Sequence, residues 1–144
     1  TDKLRLSGNY QLNQVNRRTD GSLVNVTHIP RLKIEYQASR PIFIRLVGEL
    51  TSERQSALRD DTRTDAPILI FDSQAGDFVR ATAFRRRSFR GDLLFSYQPT
   101  PGTVLFAGYG STLRDPVDAD DPLRTGLRRS EDGFFFKMSY LFRM

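Results

Sequence analysis

Gly133-Phe134-Phe135-Phe136-Lys137-Met138-Ser139-Tyr140-Leu141-Phe142-Arg143-Met144 closes the chain, and its reading decides the fold. Phe134, Phe136, Met138, Tyr140, Phe142 and Met144 fall on one parity; Phe135, Lys137, Ser139, Leu141 and Arg143 fall on the other. Successive side chains of a β-strand point to opposite faces, so this segment is a strand with one wholly apolar face and one that carries its charges. A helix, at about 3.6 residues per turn, would scatter both sets around its circumference.

The same period of two runs back through the chain. Leu4, Leu6, Gly8, Tyr10 and Leu12 oppose Lys3, Arg5, Ser7, Asn9 and Gln11. Leu32, Ile34 and Tyr36 oppose Arg31, Lys33 and Glu35, and Ile42, Ile44, Leu46 and Leu50 oppose Phe43, Arg45 and Glu49. Further on, Leu93, Phe95 and Tyr97 oppose Asp92 and Ser96, and Leu105, Ala107 and Tyr109 oppose Val104, Phe106 and Gly108. The expectation is six antiparallel strands, about 3–15, 24–38, 42–51, 91–98, 103–112 and 133–144, in an all-β chain. Asp20-Gly21, Arg40-Pro41 and Pro101-Gly102 supply the turns, with glycine where a positive φ is required. Between 51 and 91 the alternation dissolves, leaving room for a protruding hairpin within 68–83.

Composition narrows the class. Hydrophobic residues make up 38% of the chain and the mean hydropathy is −0.46, low for a packed soluble domain. Yet 11 Phe and 5 Tyr are too many for a disordered chain. No stretch approaches the roughly 18 consecutive apolar residues of a spanning helix. A barrel strand escapes that test, because it hides its apolar residues at every second position. No secretory leader pattern occurs, so any leader is expected outside this chain. There is no cysteine, which excludes disulfides and thiolate metal sites. The net charge of +5 points to an anionic partner without choosing one.

Strand length and loop length choose between a soluble sheet with one wet face and a membrane sheet. The strands are about 10 residues long, beyond the usual 5–6 of soluble strands and close to the roughly 9–11 of a tilted membrane-spanning strand. A charge facing lipid at mid-membrane costs about 2–4 kcal/mol, and over these spans the apolar faces hold no Lys, Arg, Asp or Glu. Short connections at 39–41 and 99–102 alternate with long ones at 52–90 and 113–132. Outer-membrane barrels combine short periplasmic turns with longer extracellular loops, so the C-terminus is expected on the periplasmic side. Tyr36, Tyr97, Tyr140 and Phe142 would then form a periplasmic aromatic girdle, with Tyr109 and Phe134 toward the outer one. Lys3, Arg5, Arg31, Lys33, Glu35, Arg45, Glu49, Asp92, Lys137 and Arg143 would line a polar lumen. Six strands fall short of the roughly eight of the smallest single-chain barrels. The expectation is therefore part of a larger barrel, completed by further strands of the same chain or by other protomers. A formal alternative reaches eight strands by adding the pair at Ile68 and Phe78.

The terminal strand resembles the assembly signal of bacterial outer-membrane proteins, which the barrel-assembly machinery recognises. Gly133, Phe134, Phe136, Met138, Tyr140 and Phe142 match it, with Met144 in place of the usual terminal Phe. Together with Ile29–Gln37 and Pro101–Gly110, Ser130–Arg143 is also similar to the C-terminal barrel region of an uncharacterised bacterial family. Longer members of that family carry a carbohydrate-binding family 9-like domain before the barrel. The resemblance implies an outer-membrane location and a link to glycan binding or uptake, and it assigns no functional residue.

Individual side chains add less. His28 is the only histidine; a rim hydrolase would need Asp60 or Asp61 beside it, and an interfacial His is the simpler reading. Asp115, Asp118, Asp120 and Asp121 lack calcium-loop spacing and read as a solvated loop balanced by Arg114, Arg124, Arg128 and Arg129. Phe84-Arg85-Arg86-Arg87-Ser88-Phe89-Arg90 interleaves aromatics with base, a nucleic-acid pattern in a soluble protein. At the outer end of a spanning strand, Arg85, Arg86, Arg87 and Arg90 would instead contact phosphates of lipopolysaccharide. The resulting expectation is a passage or anchor in the outer membrane, with no catalytic residue, metal, cofactor or nucleic-acid partner. Its rivals are a soluble basic β-domain that binds polyanions and a rim-active hydrolase.

Overall fold

The computed structural model describes residues 3–115 and 126–141. Eight strands follow in chain order: β1 (Leu4–Asn16), β2 (Leu23–Ser39), β3 (Ile42–Gln55), β4 (Leu69–Asp72), β5 (Asp77–Arg80), β6 (Phe84–Thr100), β7 (Thr103–Arg114) and β8 (Arg128–Tyr140). Six of them form one antiparallel sheet in the order β1-β2-β3-β6-β7-β8, and β4 and β5 form a separate hairpin. The alternative in which this pair lengthens the main sheet to eight strands is therefore not realised. Its strands are four residues each, too short to continue a ladder of this height. The sheet is open, with β1 and β8 at its edges. No helix among the described residues is long and apolar enough to cross a membrane, which bears on helical spans only.

Turn chemistry sets the register. Thr100 and Thr103 are partners across Pro101-Gly102, where proline fixes the first turn residue and Gly102 takes φ 93°. Ser39 pairs with Ile42 across Arg40-Pro41. There the Gln37 amide nitrogen donates to the carbonyls of Ser39 at 2.7 Å and of Arg40 and Ile42 at 3.2 Å, holding the turn that the chain has bulged to make. Phe142, Arg143 and Met144, and Asp118, Asp120, Asp121 and Arg124, lie outside the described residues.

Three strands run further than the hydropathy pattern indicates. β3 continues to Gln55, β6 begins at Phe84 and β8 begins at Arg128. In these extensions charges appear on both parities, which hides the alternation. The backbone ladder nevertheless continues, pairing Glu53 with Arg86 and Glu49 with Arg90. The segments 84–90 and 128–132 are thus strand, where the pattern suggested loop.

The sheet is a single layer. No apolar side chain among the described residues is buried, and Phe134, Phe136, Met138 and Leu6 are 89%, 69%, 65% and 62% exposed. The chain exposes 11439 Å², against about 7,600 Å² expected for a folded soluble chain of this mass. Every residue of β1 and β8 is exposed.

Close packing does occur at one cross-strand site. Gly108 faces Phe135 in the β7–β8 register, and the Phe135 ring occupies the space a side chain would need: a Cβ at Gly108 would lie 2.1 Å from its Cε1. Aromatic cover of a strand glycine restores the packing that glycine alone lacks. Gly108→Val should therefore cost about 1–3 kcal/mol by overpacking, read as a lower thermal midpoint. Adding Phe135→Ala should recover part of that loss; equal destabilisation with and without Phe135 would show that the two side chains do not compete.

Candidate functional site

Register and pleat sort the side chains of the sheet onto two faces. One face carries Leu4, Leu6, Tyr10, Leu12, Leu32, Ile34, Tyr36, Ile44, Leu46, Leu50, Phe89, Leu93, Phe95, Tyr97, Leu105, Tyr109, Phe134, Phe136, Met138 and Tyr140, all brought side by side by the pairings. All five tyrosines of the chain are on this face. Tyr36, Tyr97 and Tyr140 sit at the end with the short turns, and Tyr10 and Tyr109 toward the opposite end. The polar tips at that second end are engaged: Tyr10 Oη lies 2.6 Å from His28 Nδ1, and Tyr109 Oη donates to Asp132 at 2.8 Å. His28 thus partners Tyr10, while Asp60 holds Thr62 and Thr64.

The other face is charged, and several of its charges are paired. Arg5, Glu35 and Arg45 form one row, and Arg31, Glu49 and Arg90 another. Arg31 lies 3.7 Å from Glu49, Lys33 3.3 Å from Glu35, and Arg90 3.2 Å from Asp92. Only the Arg31–Glu49 pair joins two strands, where opposite charges contribute about 0.2–1 kcal/mol; the other two pairs lie two residues apart on one strand. Lys137 joins this face opposite Phe106, and Lys3 borders a depression with Arg5, Glu35 and Phe43. A second depression, of about 590 Å³, lies between Arg31, Lys33, Arg45, Arg90, Asp92 and Phe135. Arg5, Arg31, Lys33, Glu35, Arg45, Glu49, Asp92 and Lys137 fall on this face by register, and Arg143 lies outside the described residues. Glu53, Arg86 and Glu131 belong to it as well. Hydropathy does not mark them, because polar residues occupy both parities there; the ladder register alone assigns their side.

The basic run of β6 is divided by the pleat. Arg86 and Arg90 lie on the charged face, opposite Glu53 and Glu49, and Arg86 also covers the Phe84 ring at 5.4 Å. Arg85 and Arg87 lie on the apolar face, beyond its last apolar residues, opposite Arg54 and Ser52. The four arginines therefore form no single patch.

Beyond that end the loops are tied together. The Arg17 side chain is 8% exposed and donates to Ser22 Oγ at 3.0 Å and to the carbonyls of Leu23 and Ala57 at 3.3 and 2.9 Å, clamping the β1–β2 turn to the segment after β3. Arg59 pairs with Asp20 and, at 3.0 Å, with Asp65. The β4–β5 hairpin hangs on the same segment through Leu58 N to Ala81 O at 3.0 Å. No group of three or more metal-ligating side chains occurs among the described residues. No family model, curated protein or solved structure matches the chain.

Two carboxylates in these loops are held below their ordinary range. The Ser22 hydroxyl and amide stabilise ionised Asp20, and the Thr62 hydroxyl and amide with the Thr64 hydroxyl bring Asp60 down to about 2. A depressed carboxylate stabilises the folded loop above its unfolded value of 3.8, and the stabilisation is lost as pH falls through the folded value. Protection of the Thr62 amide from exchange should accordingly persist at pH 5 and fall between pH about 4 and about 2, and that of the Ser22 amide should be lost only below the ordinary carboxylate range. Asp60→Ala should remove that pH dependence at Thr62; a pH profile for Thr62 unchanged by the substitution would refute the assignment.

Proposed function

We propose that this sheet is part of a bacterial outer-membrane β-barrel, with its apolar face toward lipid and its charged face lining the interior. One observation carries the reading: a single-layer sheet leaves a continuous apolar face uncovered while collecting paired charges on the opposite face. Lipid satisfies the first face and a wet lumen the second. Tyrosines at both ends of the apolar face fit the two aromatic girdles of such barrels. From Ile42 to Leu50 the apolar row of β3 rises about 27 Å, at roughly 3.4 Å per residue. The short turns at Arg40-Pro41 and Pro101-Gly102 are assigned to the periplasmic side together with the C-terminus, and the β4–β5 hairpin to the outside. The barrel serves as a passage or an anchor, with lipopolysaccharide and the barrel-assembly machinery as its partners and further strands closing the wall. The link to glycan binding or uptake is the weaker part of the proposal and rests on the three segments Ile29–Gln37, Pro101–Gly110 and Ser130–Arg143.

Leu46→Arg or Leu93→Arg would set a charge in the middle of the lipid-facing row at a cost of about 2–4 kcal/mol each. Either should abolish the heat-modifiable folded band of the protein in outer-membrane preparations. A variant that stays folded and soluble without detergent would end the barrel reading. Conductance across a planar bilayer then separates the two roles, since a passage carries current and an anchor does not.

A further inference from the structure

We propose that the outer margin of the apolar face is a binding site for a phosphorylated, acylated lipid, with Arg54, Arg85 and Arg87 taking the phosphate and a groove over Gly48 and Gly91 taking an acyl chain. The proposal rests on the barrel reading above.

The arginines come together through the register. Arg54 is the Cα partner of Arg85, and Ser52 is the partner of Arg87. All three belong to the parity of Leu46, Leu50, Phe89 and Leu93, so within β3 and β6 they continue the apolar face past its last apolar residues. Like charges directly opposite in a ladder repel, and all three side chains are exposed. Among the described residues, none has a carboxylate within ion-pair distance. Arg31, Arg90 and Arg114, by contrast, all have acidic partners. Three uncompensated guanidinium groups beside one another call for an external anion, and their planar forks match phosphate in bidentate geometry.

Below them lies the second half of the site. Gly48 and Gly91 are partners, and the Phe89 ring rests against both, 3.4 and 3.3 Å from where their Cβ atoms would be. The missing side chains leave a groove of about 460 Å³ between Pro30, Leu32, Leu46, Leu50 and Phe89. From Gly48 to Arg54 the strand rises about 20 Å, which at a tilt of roughly 40° is about 15 Å of depth. That is about half the hydrocarbon core of a bilayer, so a lipid with its phosphate on the arginines reaches the groove with its chain. A free phosphate or a polynucleotide would use the arginines and leave the groove unused, which is why an acylated lipid is the occupant.

The test uses the protein extracted from outer membranes in detergent, with its folded state checked by heat-modifiability. Binding is measured for lipopolysaccharide, for the same lipopolysaccharide after enzymatic dephosphorylation, for inorganic phosphate and for a single-stranded oligonucleotide. Arg54→Gln/Arg85→Gln/Arg87→Gln should weaken lipopolysaccharide binding at least about tenfold, and dephosphorylation should weaken binding to the unaltered protein comparably. Arg86→Gln/Arg90→Gln, on the other face, should leave binding unchanged, and Gly48→Leu should weaken it by filling the groove. Where the triple variant fails to fold, Arg85→Gln alone carries the test with a smaller loss. A folded triple variant that binds as tightly as the parent overturns the proposal. So does competition by inorganic phosphate or the oligonucleotide on equal terms with lipopolysaccharide. A parent protein that is folded but not heat-modifiable removes the barrel reading itself, and the site with it.

Discussion

Antiparallel ladders join β1-β2-β3-β6-β7-β8 edge to edge, and everything else about this sheet depends on what covers its two faces. A single layer has no interior, so the hydrophobic effect cannot stabilise it from within. Apolar burial at about 25 cal/mol per Å² is the main favourable term in folding, and here the area that would supply it is still uncovered. The ladder alone exchanges hydrogen bonds to water for hydrogen bonds within the chain, a small net gain. The environment must therefore supply the rest. The two faces state which environments they need, because one is apolar over the height of a strand and the other carries the charges of the strands, several of them paired.

Those pairs separate two groups of arginines chemically. On the charged face Arg31 lies beside Glu49 and Arg90 beside Asp92, so both contribute local order. On the margin of the apolar face the same residue type stands without acid. The pleat alone makes the difference: Arg85 and Arg86 are neighbours in sequence and face opposite environments. Arginine content is thus a poor guide to anion binding in a β-sheet until the parity of each position is known.

The sheet was legible in the sequence because the strand charges between Leu4 and Leu12 and between Leu32 and Leu50 keep to one parity, although Phe43, Val47, Leu94, Val104 and Phe106 place apolar side chains on that parity too. Turn positions were legible for a similar reason, as Asp20-Gly21 and Pro101-Gly102 leave the backbone few alternatives. The strand ends were not. Past residue 51 and before residue 91 polar side chains occupy both parities, and hydropathy has no contrast left to report, although the ladder continues through Glu53 and Arg86. The basic run was read as one patch for the same reason, since a linear stretch gives composition and only a register gives sides. The contact of Phe135 with Gly108 was equally hidden. Each residue looks unremarkable in its own strand, and it is the cross-strand partner that turns a glycine into a socket for an aromatic ring.

The strand order also carries a parity. Neighbours alternate in direction along β1-β2-β3-β6-β7-β8, so the two edge strands run opposite ways, and each is 13 residues long. An antiparallel wall can then be closed by any even number of additional strands, and by no odd number. The same arithmetic holds between copies: β8 of one chain laid beside β1 of the next is antiparallel without inverting either chain, and both keep their apolar faces on the same side. Head-to-tail rings and a longer single-chain barrel are therefore equivalent solutions at the seam, and they differ only in whether the next strand is covalently attached.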